Sequence, residues 1–502
     1  MPSGVTGAAG VAPAAPAVIV LAAGEGTRMK SGTPKVLHPI AGRSLLGHAL
    51  AAAREVQPRE VVVVVRHARD EVVAHLQECD PDAIVADQDE VPGTGRAVLC
   101  GLEALAARTG GETPEGTVVV TYGDVPLLSG HTLAALVAEH EDAGAAATVL
   151  TAVVDDPTGY GRVVRDSHGG VTAIVEHKDA DGAQREINEI NSGIYAFDGA
   201  VLRAALAKVD TDNSQGEMYL TDVVGIARDD GLVVQALPIE DTWQVEGVND
   251  RVQLATLGAE LNRRLLHAWM RAGVTVVDPA TTWLDVDVRL APDVTLLPGV
   301  MLRAGTSVAA GATVGPDTTL VGCEVGAGAE VVRSHGSGAR FGAGATVGPF
   351  TYLRPGTSLG ADGKIGAFVE TKNARIGEGS KVPHLSYVGD ATIGTGTNIG
   401  AATVFVNYDG VAKHATTVGD HVRIGSDTML VAPVTVGDGA YTAAGSVITE
   451  DVPPGALAVG RAKQHVSKGW TRRRRPGTSS AKAAEAAERE DADTVDSEGP
   501  QS

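Results

Sequence analysis

At 502 residues the chain is longer than one ordinary core, so two or three domains are expected. Its 43% hydrophobic and 21% charged residues exclude a wholly disordered chain, and a net charge of −21 leaves no broad basic face, which excludes a general polyanion-binding role. Cys79, Cys100 and Cys323 are scattered and form no CxxC pair, which excludes a disulfide framework or a zinc site and reads as a reducing compartment.

Residues 1–16 are small and apolar without a basic segment, and read as a disordered leader rather than a signal peptide. No apolar run reaches the ~18 residues of a membrane span. A cytoplasmic protein is expected, with neither a membrane nor a nucleic-acid partner. From Ala17 the run AVIVLAA feeds the glycine-rich GEGTR, the pattern of a buried parallel strand entering a loop. Strands are expected at Val61–Val65, Val118–Tyr122 and Ala146–Val154, with amphipathic helices at Leu45–Val56, Gly95–Ala107 and Thr132–Ala143. This alternation over 17–248 implies a doubly wound α/β domain with its site at the carboxyl ends of the strands. Residues 249–273 read as a connecting helix, with Val252, Leu254, Leu257, Leu261, Leu265 and Leu266 on or near one face and Gly273 at the stop.

Beyond the helix the period becomes six. Leu290, Leu296, Leu302, Val308, Val314 and Leu320 keep it, and it returns over Phe341–Ile365, Ile376–Val388, Ile393–Phe405 and Val418–Val436. That is the hexapeptide pattern of a parallel β-helix over 274–471, with aliphatic residues inward and small residues at the turns. It accounts for 63 glycines and only 3% aromatics. Breaks in the count are expected where loops leave the coil: the clearest is VNYDGVAKHATT after Phe405, with others at 371–376 and 388–393. Residues 472–502 open on RRRR and, from Pro476, hold seven acidic and two basic residues with no apolar period. A disordered tail is expected there.

LAAGEGTRMKSGTPK (Leu21–Lys35) is the most specific local motif. A glycine-rich turn after a buried strand lets backbone N–H groups approach a phosphate, and Arg28 and Lys35 add positive charge. It is neither a Walker A loop nor the dinucleotide GxGxxG. Glu25, an acid inside this loop, is expected to point outward. The motif resembles that of the sugar-1-phosphate nucleotidyltransferases. With the repeats, residues 17–470 resemble the bifunctional N-acetylglucosamine-1-phosphate uridylyltransferase/glucosamine-1-phosphate N-acetyltransferases.

The resemblance implies a Rossmann-like nucleotidyltransferase domain, a linker helix and a left-handed parallel β-helix. It also implies two reactions: acetylation of glucosamine 1-phosphate by acetyl-CoA, then UMP transfer from UTP to give UDP-N-acetylglucosamine for the cell wall. By the same resemblance Leu21, Ala22, Ala23 and Gly24 form the uridine-binding loop and Lys35 contacts phosphate, with Arg28 and Lys35 facing the developing charge. Gln88, Gly93 and Thr94 (QDEVPGTG) read the uracil, and Tyr122-Gly123-Asp124 closes a strand. Gly161, Glu176 and Asn191 contact the amino sugar and ribose, and Asp124 and Asn249 hold Mg²⁺. In the β-helix, His384 is the implied general base. Arg354, Lys372, Tyr387 and Asn398 bind the sugar phosphate, and Ala401, Asn407, Tyr408, Ser426, Ala444 and Arg461 contact acetyl-CoA. Family members are homotrimers. Two other readings are a nucleotidyltransferase with a merely scaffolding β-helix, and a non-catalytic scaffold. The Arg354, Lys372, His384 and Asn407-Tyr408 set argues against the first, and Lys35, Asp124 and Asn249 against the second.

Overall fold

The computed structural model describes residues 14–110 and 116–497. Residues 1–13 of the expected leader and 498–502 of the expected tail lie outside them. The chain divides after Asn373 into two compact units.

In the first unit β1 (Ala17–Leu21) is buried along its whole length, as its continuous apolar run requires. Parallel β2 (Glu60–Val65) and β4 (Thr117–Tyr122) flank it, and β3 (Ile84–Asp87) lies outside β2. Beyond β4 come β8 (Glu189–Asp198), β5 (Ala147–Val153) and β9 (Val234–Ile239), giving the order β9-β5-β8-β4-β1-β2-β3. Only β8 runs antiparallel within that order, and the hairpin β6 (Arg162–Arg165)/β7 (Val171–Val175) attaches to it. Helices Leu45–Glu55, Thr94–Thr109 and Gly130–Asp142 match the three expected ones. Apolar clusters fill both faces of the sheet, as in a doubly wound domain.

The connecting helix runs Arg251–Arg271. It ends in a Schellman motif: Gly273 N bonds Met270 O at 3.1 Å, Val274 N bonds Trp269 O at 3.0 Å, and Gly273 takes the left-handed conformation. The buried face carries Leu257 and Leu266, but also Glu260 and Asn262, whereas Val252 is 74% exposed and corrects the expected apolar face. Asn262 clasps the first coil of the solenoid, donating to Thr282 O (2.8 Å) and accepting from Leu284 N (3.0 Å). Glu260 accepts from Arg263 and Arg264 at 2.7 Å, and Arg264 forks onto both oxygens of Asp241 at 2.8 Å. Hydrogen bonds from Arg263 and then Arg264 outweigh partial burial and hold the Glu260 carboxyl down at about 2. A depressed folded pKa stabilises the fold above the ordinary value of 4.5, and that stabilisation is lost as pH falls toward about 2. Urea midpoints should therefore drop between pH 5 and pH 3 by less in Glu260→Gln than in the parent chain.

The rest of the first unit is solenoid. Leu284 pairs in register with Leu302, and Leu302 with Leu320, so each turn is three six-residue sides. Leu296, Leu302, Val314 and Leu320 are fully buried, as the period predicts. Buried threonines at the corners bond backbone carbonyls, Thr306 to Arg303 O and Thr357 to Arg354 O, each at 2.7 Å, which removes the cost of an unpaired buried hydroxyl.

The second unit is solenoid and tail. Val418 pairs with Val436 eighteen residues on, but Ile399 pairs with Ile424 twenty-five residues on. The excursion after Phe405 is thus a true loop. The shifts at 371–376 and 388–393 are not, which corrects the expectation. Both lie inside continuous seven-residue strands, Glu370–Ile376 and Tyr387–Ile393, where a five-residue side turns its corner on a left-handed residue, Asn373 or Asp390. The tail is helical at Trp470–Arg474 and Ser479–Ser497 rather than without regular structure. Its alanines, glutamates and lysine are strong helix formers, Ala481 is buried, and Arg472 pairs with Glu488 at 2.8 Å.

Candidate active sites

The strand order reverses at β1, so the loops after β1, β2 and β4 open on a switch-point crevice. A cleft of about 350 Å³ lies there. Leu21 to Gly24, Lys35, Gln88, Gly93, Thr94, Tyr122 and Asp124 all line it, bringing together residues from separate stretches of chain. Arg66, His67 and Glu217 line it too and were not singled out from the sequence. The available signal was the pair of basic residues directly after the apolar run Val61–Val65, at a strand's carboxyl end. Glu25 is exposed and is also among the residues that line the cleft.

Lys35 Nζ donates to Asp124 Oδ2, and both side chains are mostly buried. Gly123 N bonds Leu21 O at 2.9 Å, locking the end of β4 to the end of β1. Val248 N bonds the Asp124 carbonyl at 2.9 Å and so brings Asn249 to the same strand end. Asn249 Oδ1 accepts from Arg28 at 2.8 Å. Arg28 is exposed and does not line the cleft, its guanidinium donating to the Asn249 amide oxygen.

Gly161, Asn191 and Glu176 lie past Tyr122. Asn191 N bonds Gly161 O at 2.9 Å, and the Asn191 amide bonds Gly193 N at 2.9 Å in the bulge of β8. Gly193 stands under the Tyr122 ring, where a Cβ would come within 2.4 Å of it. Burial, then the carboxylates of Glu176 and Asp124, push the Tyr122 phenol well above its ordinary value and keep it a neutral donor. Burial likewise raises Glu176, which Thr221 reaches at 3.4 Å.

The QDEVPGTG loop depends on Gly93. Its φ is +118°, and a Cβ there would lie 2.3 Å from Met218 O. Gln88 Nε2 donates to Val91 O and Gly93 O at 3.1 and 3.2 Å, while Thr94 Oγ1 accepts from Leu220 N at 3.2 Å. Gly93→Ala should displace this loop and destabilise the chain by about 1–3 kcal/mol, the cost of strain of this kind. Urea-unfolding midpoints of the parent and variant chains check this.

In the first unit's solenoid, Leu353 pairs with Thr371, which sets Arg354 and Lys372 at matching positions on successive coils. Arg354 donates to Glu370 at 3.0 Å. In the second unit, the exposed His384 ends the strand Lys381–His384, its carbonyl accepting from Ala402 N at 3.2 Å. Lys381 pairs with Asn398. Tyr387 OH lies 3.5 Å from the Asn407 amide, whereas the Tyr408 hydroxyl turns back to Gly410 O at 2.7 Å. Ala401, Ser426 and Ala444 follow one another on consecutive coils, through Asp427 N to Ala401 O and Gly445 N to Ser426 O. This small-residue strip ends beside Arg461.

The MobA-like NTP transferase domain family matches residues 18–186, and the bacterial transferase hexapeptide family, six repeats, matches residues 415–450. Bifunctional protein GlmU from Paenarthrobacter aurescens (strain TC1) is 63% identical over 472 residues, covering 94% of each chain. The same-named protein of Kineococcus radiotolerans is 63% identical over 484 residues, covering 96% of this chain and 97% of its own. That of Streptomyces coelicolor is 60% identical over 475 residues, covering 94% and 98%. The chain belongs to the bifunctional protein GlmU family.

Like its relatives in the GlmU family, the chain is a bifunctional transferase: the cleft lies in the NTP transferase domain, and the strip from Ala401 lies on the hexapeptide coils. No described helix is long and apolar enough to cross a membrane.

Proposed function

We propose that the chain acetylates glucosamine 1-phosphate with acetyl-CoA, then transfers UMP from UTP to the product, giving UDP-N-acetylglucosamine and pyrophosphate for cell-wall precursors. It acts as a cytoplasmic homotrimer. The observation that supports this reading is the cleft at the β1 switch point, which brings Leu21 to Gly24, Lys35, Gln88, Gly93, Thr94 and Asp124 together.

Acetylation begins with proton transfer. His384 accepts a proton from the glucosamine amine, the nitrogen attacks the thioester carbonyl, and coenzyme A leaves as its sulfur takes up a proton. Arg354 and Lys372 suit the sugar phosphate, with Tyr387 and Asn398 as further contacts. Ala401, Asn407, Tyr408, Ser426, Ala444 and Arg461 serve acetyl-CoA. In uridylyl transfer a sugar-phosphate oxygen attacks the α-phosphorus of UTP in line and pyrophosphate departs. Leu21 to Gly24, Gln88, Gly93 and Thr94 hold the nucleoside, Gly161, Glu176 and Asn191 orient the sugar, and Lys35 offsets phosphate charge.

Among the described residues no group of three or more His, Cys, Asp or Glu side chains forms a metal cage. The Asp124 carboxylate and Asn249 amide oxygen still fit Mg²⁺, a hard cation that takes one or two protein oxygens and completes its shell with water and phosphate. When bound, Mg²⁺ would neutralise triphosphate charge.

Purified protein given glucosamine 1-phosphate, acetyl-CoA, UTP and Mg²⁺ should yield UDP-N-acetylglucosamine. Omitting acetyl-CoA should nearly abolish nucleotide product, and equal turnover without it would overturn the two-step order.

A further inference from the structure

The residues around Asn407 include one acid to which nothing above assigns a role. Asp390 sits at the corner of the strand Tyr387–Ile393 with a φ of +50°, a conformation that aspartate tolerates better than most residues. Its Oδ2 accepts from Asn407 Nδ2 at 2.6 Å, and the Tyr387 hydroxyl lies 3.5 Å from the same nitrogen. Asn407 is 8% exposed, so this short contact to a charged acceptor is sheltered. Gly389 makes the cluster possible: a Cβ there would come 2.4 Å from the Tyr387 hydroxyl and 2.7 Å from Asn407 Nδ2. Asn407 also anchors the loop after Phe405, its carbonyl accepting from His414 N at 2.8 Å.

An amide has two ends of opposite character. A carboxylate accepts hydrogen bonds and repels a carbonyl oxygen, so Asp390 fixes which end of Asn407 faces inward. We propose that Asp390 is a positioning residue for acetyl transfer: it pins the Asn407 NH₂ group so that the carbonyl oxygen, Oδ1, is presented to the acceptor amine. This rests on the acetyltransferase reading of the second unit. An amine attacking the thioester directs its lone pair at the carbonyl carbon and needs an acceptor for a remaining N–H, which Oδ1 supplies. A flipped amide would set its own N–H groups against those of the amine. The five-residue side at 388–393 thus shapes the site: it delivers a carboxylate to the amide on the next coil.

The test uses the full-length protein, with acetyl transfer followed by release of free coenzyme A. Uridylyl transfer to supplied N-acetylglucosamine 1-phosphate reports the integrity of the chain. Asp390→Ala should lower kcat for acetylation by about 10- to 50-fold, with KM for both substrates within about threefold of the parent and uridylyl transfer unchanged. Asp390→Asn keeps an acceptor oxygen but not the charge, and should lose about 3- to 10-fold. Combining it with Asn407→Asp exchanges the two groups, restores an inward donor and an outward acceptor, and should recover kcat relative to either single variant. Should Asp390→Ala fail to fold, the Asp390→Asn series decides. Full acetylation activity in Asp390→Asn, or a loss that the exchange does not recover, overturns the assignment. No acetylation by the parent protein would instead remove the reading on which it rests.

Discussion

Asp124→Ala should lower uridylyl transfer by about 10²- to 10³-fold while acetyl transfer stays within about twofold, the scale seen when an active site loses one preorganised hydrogen-bonding group. Two losses coincide. The variant lacks the carboxylate oxygen suited to Mg²⁺, and it leaves Lys35 without the partner that fixes it at the mouth of the cleft. Asp124→Asn separates them, because its amide oxygen still accepts from Lys35 while the charge is gone. If both effects matter, Asp124→Asn should be more active than Asp124→Ala yet remain far below the parent. The acetyl reaction is spared because the solenoid buries its own aliphatic column. Pyrophosphate release across a Mg²⁺ titration gives the measurement. A comparable rate for Asp124→Ala at any Mg²⁺ concentration would overturn the assignment.

The converse dissociation belongs to His384→Ala. Acetyl transfer should fall by about 10²-fold or more, the usual cost of a lost general base, with uridylyl transfer to supplied N-acetylglucosamine 1-phosphate intact. His384 is exposed at the end of its strand and holds no interior position of the six-residue period, so truncating it opens no cavity. Equal loss of both activities would mean damage to the fold. Unchanged acetylation would reduce the solenoid to a scaffold.

The sequence alone determined the parts of this protein that repeat or that sit on one strand. Each six-residue step places an aliphatic inward in the same way, so burial of Leu302 or Val314 follows from local spacing. The β1 run and its loop were equally legible, because a fully buried parallel strand has no polar alternation and its glycine-rich exit follows directly. Pairings distant in the chain were decided by tertiary structure: Lys35 with Asp124, 89 residues apart, and Arg28 with Asn249, 221 apart. Sheet order sets them, and no local period carries it. Arg66 and His67 entered the cleft for the same reason, since β2 lies directly beside β1. Counting periods also could not tell a shortened side from a loop, because both shift the register of the next aliphatic. The backbone showed that 388–393 turns through Asp390 in a left-handed conformation, and that turn brings a carboxylate to the amide of Asn407.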